Sequence, residues 1–349
     1  MHEGTTLPPS APSPAGSGGV VNGGETEIAG EGERTSLGSP HGNIASRIGN
    51  TPLLRLRRVG SSLPRGVEFW AKAEFLNPGG SVKDRTALSI VETGLREGRF
   101  GKGKVLLDAS SGNTGIAYAF LGAMWGFPVE IVVPRNVSPE RLRRLQAYGA
   151  RLTFSDRLEG TDGAQLLARR LAEDHPDRYW YPDQYNHPAN PLAHYRTTGP
   201  EIWRDSCGLV THFVAGIGTG GTITGVGRYL KDQNPRVEIV GVEPASAMHG
   251  IEGLKHLATA LRPGVFDERV VDVRLSVETE AAQVMTRRLA REEGLFVGTS
   301  SGAAVEAAVQ HARELERGVV VTLLPDGGDR YTGEKYWEDP HEGRGGGAP

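Results

Sequence analysis

Asn77-Pro78-Gly79-Gly80-Ser81-Val82-Lys83-Asp84-Arg85-Thr86 joins an apolar, strand-like run (Phe69 to Phe75) to a helix-like run (Ala87 to Leu95). Pro78, Gly79 and Gly80 read as a turn. Ser81 is placed to cap the helix that follows. Lys83 then falls in the first helical turn, where the positive end of the helix dipole disfavours a further cation. An amine held there has a depressed pKa, which is what attack on a carbonyl or proton abstraction near neutral pH requires. The same residues also read as a solvated lysine paired with Asp84, since surface lysines are the rule. What lies downstream decides between the two.

From Phe69 onward, strand-like and helix-like runs alternate. Strands are expected at Val105 to Leu107, Val129 to Val133, Leu152 to Phe154, Thr211 to Ala215, Val237 to Val242 and Val319 to Leu324. Helices are expected at Ile116 to Trp125, Glu140 to Tyr148, Ala164 to Asp174, Ile223 to Lys231, Glu278 to Glu293 and Ala303 to Leu315. Short apolar strands alternating with helices imply βα units on open, largely parallel sheets, an α/β fold.

The chain has 349 residues, 38% of them hydrophobic, which suffices for two packed domains. A net charge of −3 gives no nucleic-acid footprint. No apolar run is long enough to span a bilayer, and no secretory signal is visible. Cys207 is the only cysteine, which excludes disulfide staples and cysteine-rich metal sites and implies a cytoplasmic setting. It lies in a polar turn before Gly208, a poor place for a nucleophile. Residues 1–42 are rich in Gly, Pro, Ser, Thr and Glu and read as a disordered tail. Residues 338–349 read as a loose end.

Three glycine turns each run from a strand into a helix. Ser110-Ser111-Gly112-Asn113-Thr114-Gly115 combines hydroxyls, an amide and free backbone N–H groups, an anion site fit for a carboxylate. Gly216-Ile217-Gly218-Thr219-Gly220-Gly221-Thr222 invites a phosphate. It also satisfies the dinucleotide pattern at Gly216, Gly218 and Gly221, with Glu238 and Glu243 downstream, so an NAD-dependent dehydrogenase is a rival from this loop alone. The third is Gly298-Thr299-Ser300-Ser301-Gly302, and a further turn, Pro325-Asp326-Gly327-Gly328-Asp329-Arg330-Tyr331, ends the last strand. In an open parallel sheet such turns converge on one crevice.

Together these stretches resemble the cysteine synthase and cystathionine β-synthase family of fold-type-II pyridoxal-phosphate enzymes. The resemblance rests on IGNTPLL (48–54), NPGGSVKDR (77–85), SSGNTG (110–115), QYNHPANP (184–191), HYRTTGPEIW (194–203), GIGTGGTITG (216–225), GTSSGA (298–303) and PDGGDRY (325–331), in the family's order. A dehydrogenase explains neither the Lys83 stretch nor SSGNTG. The resemblance implies two α/β domains with pyridoxal 5'-phosphate in the cleft, the smaller over 77–187 and the larger from 44–76 plus 188–337. It implies a homodimer acting on an O-activated L-serine with a sulfur donor, which includes sulfide, thiosulfate or a sulfur-carrier protein.

By motif, Lys83 would carry the cofactor as an internal aldimine and serve as the base at Cα on the way to an aminoacrylate. Asn113 would bond the cofactor's ring hydroxyl. Gly218, Thr219, Gly220, Gly221 and Thr222 would hold its phosphate. Ser110, Ser111, Thr114 and Gln184 would take the substrate carboxylate. Gly327 departs from the pattern, since many relatives place there a serine that bonds the pyridine nitrogen. Ser300 or Asp326 could take that role, and Ser300 is favoured because a neutral partner leaves the nitrogen unprotonated. Lys255, in the loop His249 to His256, stands where relatives that use O-phosphoserine carry an arginine. A cation there suits a phosphate leaving group. The plainer reading is a Lys255 that snorkels or pairs with Glu252. The substrate is left open between O-acetylserine and O-phosphoserine, within the cysteine synthase B branch. Cystathionine β-synthase and serine or threonine dehydratase are the rivals within the fold, and a non-catalytic fold member the rival outside enzymes.

Overall fold

The computed structural model describes residues 42–338 apart from Lys102, Ser111, Asn136 and 157–159. The tails expected at either end fall almost wholly outside the described residues.

Two short antiparallel strands, β1 (Leu53–Arg55) and β2 (Gly66–Ala73), come first. The chain then runs through α1 (Lys83–Arg96), β3 (Val105–Ala109), α2 (Asn113–Trp125), β4 (Val129–Pro134), α3 (Pro139–Ala147), β5 (Arg151–Ser155), α4 (Gly160–Asp174) and β6 (Tyr179–Trp180). The strands from β3 to β6 form a four-stranded parallel sheet in the order β5-β4-β3-β6. Two short helices, α5 (Ala189–Ala193) and α6 (Gly199–Asp205), lead back to β7 (His212–Gly216), α7 (Gly221–Gln233), β8 (Glu238–Pro244), β9 (Val273–Val277), α8 (Thr279–Glu293), α9 (Thr299–Ala312) and β10 (Arg317–Leu324). The second sheet has the order β1-β2-β10-β7-β8-β9, parallel throughout except at β1.

Helices cover both faces of each sheet, and the alternation of side chains along the strands sorts the two faces. Leu106, Ile131 and Val133 pack with residues of α1 and α2, whereas Leu107 and Val132 pack with Ala164 and Ala168 of α4. Likewise Val214, Val240 and Val320 meet α8 and α9, and Phe213, Ile239 and Val321 meet α6 and α7. β3 and β4 are buried at every position, as a parallel strand covered on both faces must be. α2 is apolar nearly all round and buried from Thr114 to Gly122.

The expected strands and helices are present, with shifted ends. α1 begins at Lys83, which puts Lys83 in the first helical turn as expected, whereas α2 begins at Asn113 rather than Ile116 and α9 at Thr299 rather than Ala303. Gly, Ser, Thr and Asn read as loop, yet the first helical turn has unbonded N–H groups and tolerates them. The sequence reading missed α5 and α6 because Pro191 and Pro200 look like breakers. Pro200 falls at the start of α6, where proline sacrifices no helical bond. It also missed β9, a half-exposed edge strand, and β6, which has two residues.

Candidate active site

The loops at the carboxyl ends of the strands are sewn to one another. Ser81 and Asp326 form a bridge, as do Val297 and Gly327. The Val82 N–H donates to Pro325 O at 2.8 Å, and the Gly298 N–H to Asp326 O at 3.2 Å. These bonds draw the Lys83, Gly298 and Pro325 turns together: Lys83 and Tyr331 line a cleft of about 510 Å³, and Lys83, Ser300 and Pro325 a narrower recess that adjoins it. The recess, of about 50 Å³, shares Lys83, Asn113, Gly218 and Thr219 with the cleft.

Lys83 is the first residue of α1, and its backbone N–H donates to Ser81 Oγ at 3.2 Å, so Ser81 serves the helix end from one residue before the cap. Burial lowers the amine's pKa, with Asp326 and then Glu74 pulling part of the way back. The depressed amine expected from the helix end is therefore present, with desolvation as its main cause. The alternative pairing with Asp84 is not made among the described contacts. Asp84 Oδ2 accepts the Gly79 N–H at 2.5 Å, and burial pushes its carboxyl up to about 7.

Arg85, which the sequence reading passed over, anchors the helix that carries Lys83. Its guanidinium binds Glu74 at 2.7 Å and Glu201 at 2.6 Å, and Lys72 closes on Glu201 at 2.8 Å. All four are buried. Burial works to raise the Glu201 carboxyl, but its bonds to Arg85 and Lys72 win and hold it at about 2.

Asn113 lines both the cleft and the recess. Its Nδ2 donates to Asp326 Oδ2 at 2.8 Å, while its Oδ1 is buried without a partner. Ser300, buried in the first turn of α9, lines the recess beside Lys83 and Asn113. Asp326 is not among the residues that line either space, and Asn113 and Tyr331 occupy its Oδ2.

The loop at 218–222 opens α7, so unbonded N–H groups of a helix end face the recess. Gly220 has φ +79°, a backbone that favours glycine, and a Cβ at Gly218 would strike the Gly253 carbonyl. Thr222 Oγ1 lies 3.2 Å from His194 Nε2. Burial, then the nearby Arg85 and Lys83 charges, push the His194 pKa well below its usual value, so the ring is neutral.

Ser110 Oγ accepts the N–H groups of Gly112 at 3.2 Å and Gly115 at 3.0 Å, which leaves its own proton to donate. Thr114 Oγ1 donates to Gln184 Oε1 at 2.6 Å, and Gln184 Nε2 donates to Ala109 O at 3.0 Å. All three residues line the cleft. Ser111, the remaining candidate of this group, lies outside the described residues.

Lys255 lines the cleft but does not pair with Glu252. Its Nζ binds Asp162 Oδ1 at 2.8 Å and stands 5.1 Å from the centre of the Tyr185 ring. Glu252 is taken instead by Arg141, a buried residue of α3 that lies over the Tyr331 ring. The sequence reading missed Arg141, because one arginine in a helix of several gives no signal of its inward face.

A reactive amine, an unpartnered buried amide oxygen and a helix end bare of side chains on one recess fit a phosphorylated aldehyde cofactor. The model of the pyridoxal-phosphate dependent enzymes matches residues 44–326, and the chain belongs to that family. Pyridoxal phosphate is its cofactor. Among relatives, the chain is 52% identical to cysteine synthase of Aquifex aeolicus, over 85% of this chain and 92% of that one. It is 43% identical to cysteine synthase B of Salmonella typhimurium, over 87% and 99%. The solved O-acetyl serine sulfhydrylase isoform 3 of Entamoeba histolytica superposes with a TM-score of 0.81 at 34% identity, over 90% of this chain and 96% of that one.

Proposed function

We propose that this chain is a cysteine synthase, which replaces the β-substituent of an O-activated L-serine with a sulfur nucleophile to give L-cysteine. The observation that carries the reading is the Lys83 amine lining one cleft together with the first turns of α2 and α7. One helix end suits the phosphate of the cofactor and the other the carboxylate of an amino acid.

Pyridoxal phosphate supplies the electron sink that lets a Cα–H ionise. The backbone N–H groups of 218–222, with the hydroxyls of Thr219 and Thr222, would hold its phosphate. The Asn113 amide would meet its ring oxygen and Ser300 its ring nitrogen. Ser110, Ser111, Thr114 and Gln184 grip the substrate carboxylate and set the Cα–H toward Lys83. Lys83 Nζ, whose pKa burial lowers, takes the Cα proton and returns it once sulfur has added at Cβ.

The leaving group is acetate. Among the described residues lining the wide part of the cleft, Lys255 and Arg141 are each paired with a carboxylate, Asp162 and Glu252. The pairs cancel, which suits a neutral ester better than a phosphate carrying about −1.5 to −2.

Cysteine formation from O-acetylserine and sulfide, followed by a colour reaction, tests the reading. Lys83→Ala should lower the rate about 10²–10⁴-fold. Pyruvate in place of cysteine would make the chain a dehydratase. The family resemblance also supports a smaller domain over 77–187, a larger one from 44–76 plus 188–337, a homodimer and a sulfur-carrier protein as one donor, and the single cysteine supports a cytoplasmic setting. Sedimentation of the purified chain tests the dimer.

A further inference from the structure

At the far end of the six-stranded sheet, away from the cleft, three side chains meet. His212 is the first residue of β7 and Glu238 the first of β8, and the two are register partners in neighbouring parallel strands. His311 comes from the last turn of α9. One nitrogen from each imidazole and one carboxylate oxygen all lie within 4.8 Å of one another, and all three residues are half-buried. The rings of His212 and His311 stand edge to face, 5.4 Å between centres.

We propose that His212, Glu238 and His311 form a zinc site. Two imidazoles and one carboxylate make a zinc donor set, with water filling the fourth position from the solvent side. Tetrahedral zinc bonds of about 2.0–2.2 Å set donors roughly 3.3–3.6 Å apart, so the His311–Glu238 pair, now 2.7 Å apart, would open to admit the ion.

Two further observations are consistent with a metal. His311 Nε2 and Glu238 Oε1 pair at 2.7 Å, and both atoms are buried with no other partner. A metal ion would satisfy both. The second concerns how His212 is held. Thr211 Oγ1 donates to Val319 O at 3.1 Å and accepts the Val319 N–H at 2.9 Å. The same hydroxyl lies 2.8 Å from His212 Nδ1, so it holds the ring from outside the three-donor cluster. An outer partner of this kind orients the metal-binding imidazoles of zinc sites. Zinc here ties the starts of β7 and β8 to the end of α9, so it would stiffen the sheet without touching the cleft.

The test uses the full chain with its pyridoxal phosphate, stripped with a chelator and then titrated with zinc against a coloured zinc indicator. The chain should remove one equivalent of zinc from the indicator, and the zinc-loaded protein should melt at a higher temperature. His311→Gln and Glu238→Gln should each abolish that equivalent while the cofactor absorbance and circular dichroism stay unchanged. His311→Ala serves as a second variant if the glutamine form folds poorly. No uptake by the unaltered chain, or uptake retained in either substituted chain, overturns the site.

Discussion

The side-chain amide of Asn113 donates to Asp326 Oδ2 at 2.8 Å, joining the loop after β3 to the loop after β10. Tyr331 donates to the same oxygen at 2.7 Å. One carboxylate thus orients the amide in the recess and also holds the Lys83 amine up against the lowering effect of burial. Asp326→Asn keeps an oxygen for both donors but removes the charge. The Lys83 pKa should then fall further below its ordinary lysine value. The base form is lost as pH drops through that pKa, so the acid limb of the kcat profile should move to lower pH. A limb that stays in place or moves up would mean that the limb does not report Lys83.

Ser300 and Ser301 are adjacent, both buried, and read alike in sequence. Only Ser300 lines the recess with Lys83 and Asn113, whereas Ser301 Oγ is buried without a partner. Ser300→Ala should shift the cofactor's absorbance band, and Ser301→Ala should leave it within error of the parent. Equal effects would remove Ser300 from the ring nitrogen.

The glycine turns and Lys83 were legible in the sequence because turn residues flanked by apolar strands announce themselves locally. The order of the strands was not. β1 and β2 precede the four-stranded sheet in the chain yet complete the six-stranded one, a pairing between Arg317–Leu324 and Gly66–Ala73 that no local pattern encodes. The same holds for charge. Lys255 stood out as a lone cation in a glycine loop, but its partner Asp162 lies 93 residues away, and Glu252, the local candidate, is drawn off by Arg141. Buried ion pairs depend on long-range packing, so sequence spacing names the ions and not the pairs.

The Arg85 cluster should make stability fall in acid. Glu201 has a folded pKa of about 2 against an ordinary 4.5. A depressed carboxyl stabilises the fold above its unfolded pKa, and that contribution is lost as pH falls from 4.5 toward 2. The shift corresponds to about 3 kcal/mol at most. Glu201→Gln leaves the buried Lys72 and Arg85 short of countercharge, which costs about 3–5 kcal/mol near neutral pH. Urea unfolding followed by circular dichroism should show this loss at pH 7 and a smaller gap between variant and parent at pH 3. A gap that is constant with pH would deny Glu201 its ionised role.

Substrate choice should turn on Asp162 more than on Lys255 itself. Asp162 Oδ1 sits 2.8 Å from Lys255 Nζ, and its Oδ2 accepts the Leu261 N–H at 3.1 Å, so the carboxylate is held against the lysine from two sides. A phosphate approaching Lys255 meets that carboxylate first, and like charges at this range repel. Asp162→Asn keeps a side-chain oxygen for the Leu261 N–H and removes the negative charge. kcat/KM for O-phosphoserine should rise about tenfold, equivalent to roughly 1.4 kcal/mol at the transition state, with that for O-acetylserine nearly unchanged. In Lys255→Ala the lysine charge is lost while Asp162 stays, so phosphoserine turnover should fall further and acetylserine turnover hold. Rates for both esters measured on both variants separate the possibilities. If phosphoserine is already the better substrate of the parent, or Asp162→Asn lowers its turnover, the paired charges do not select the acetyl ester and Lys255 meets the phosphate despite its partner.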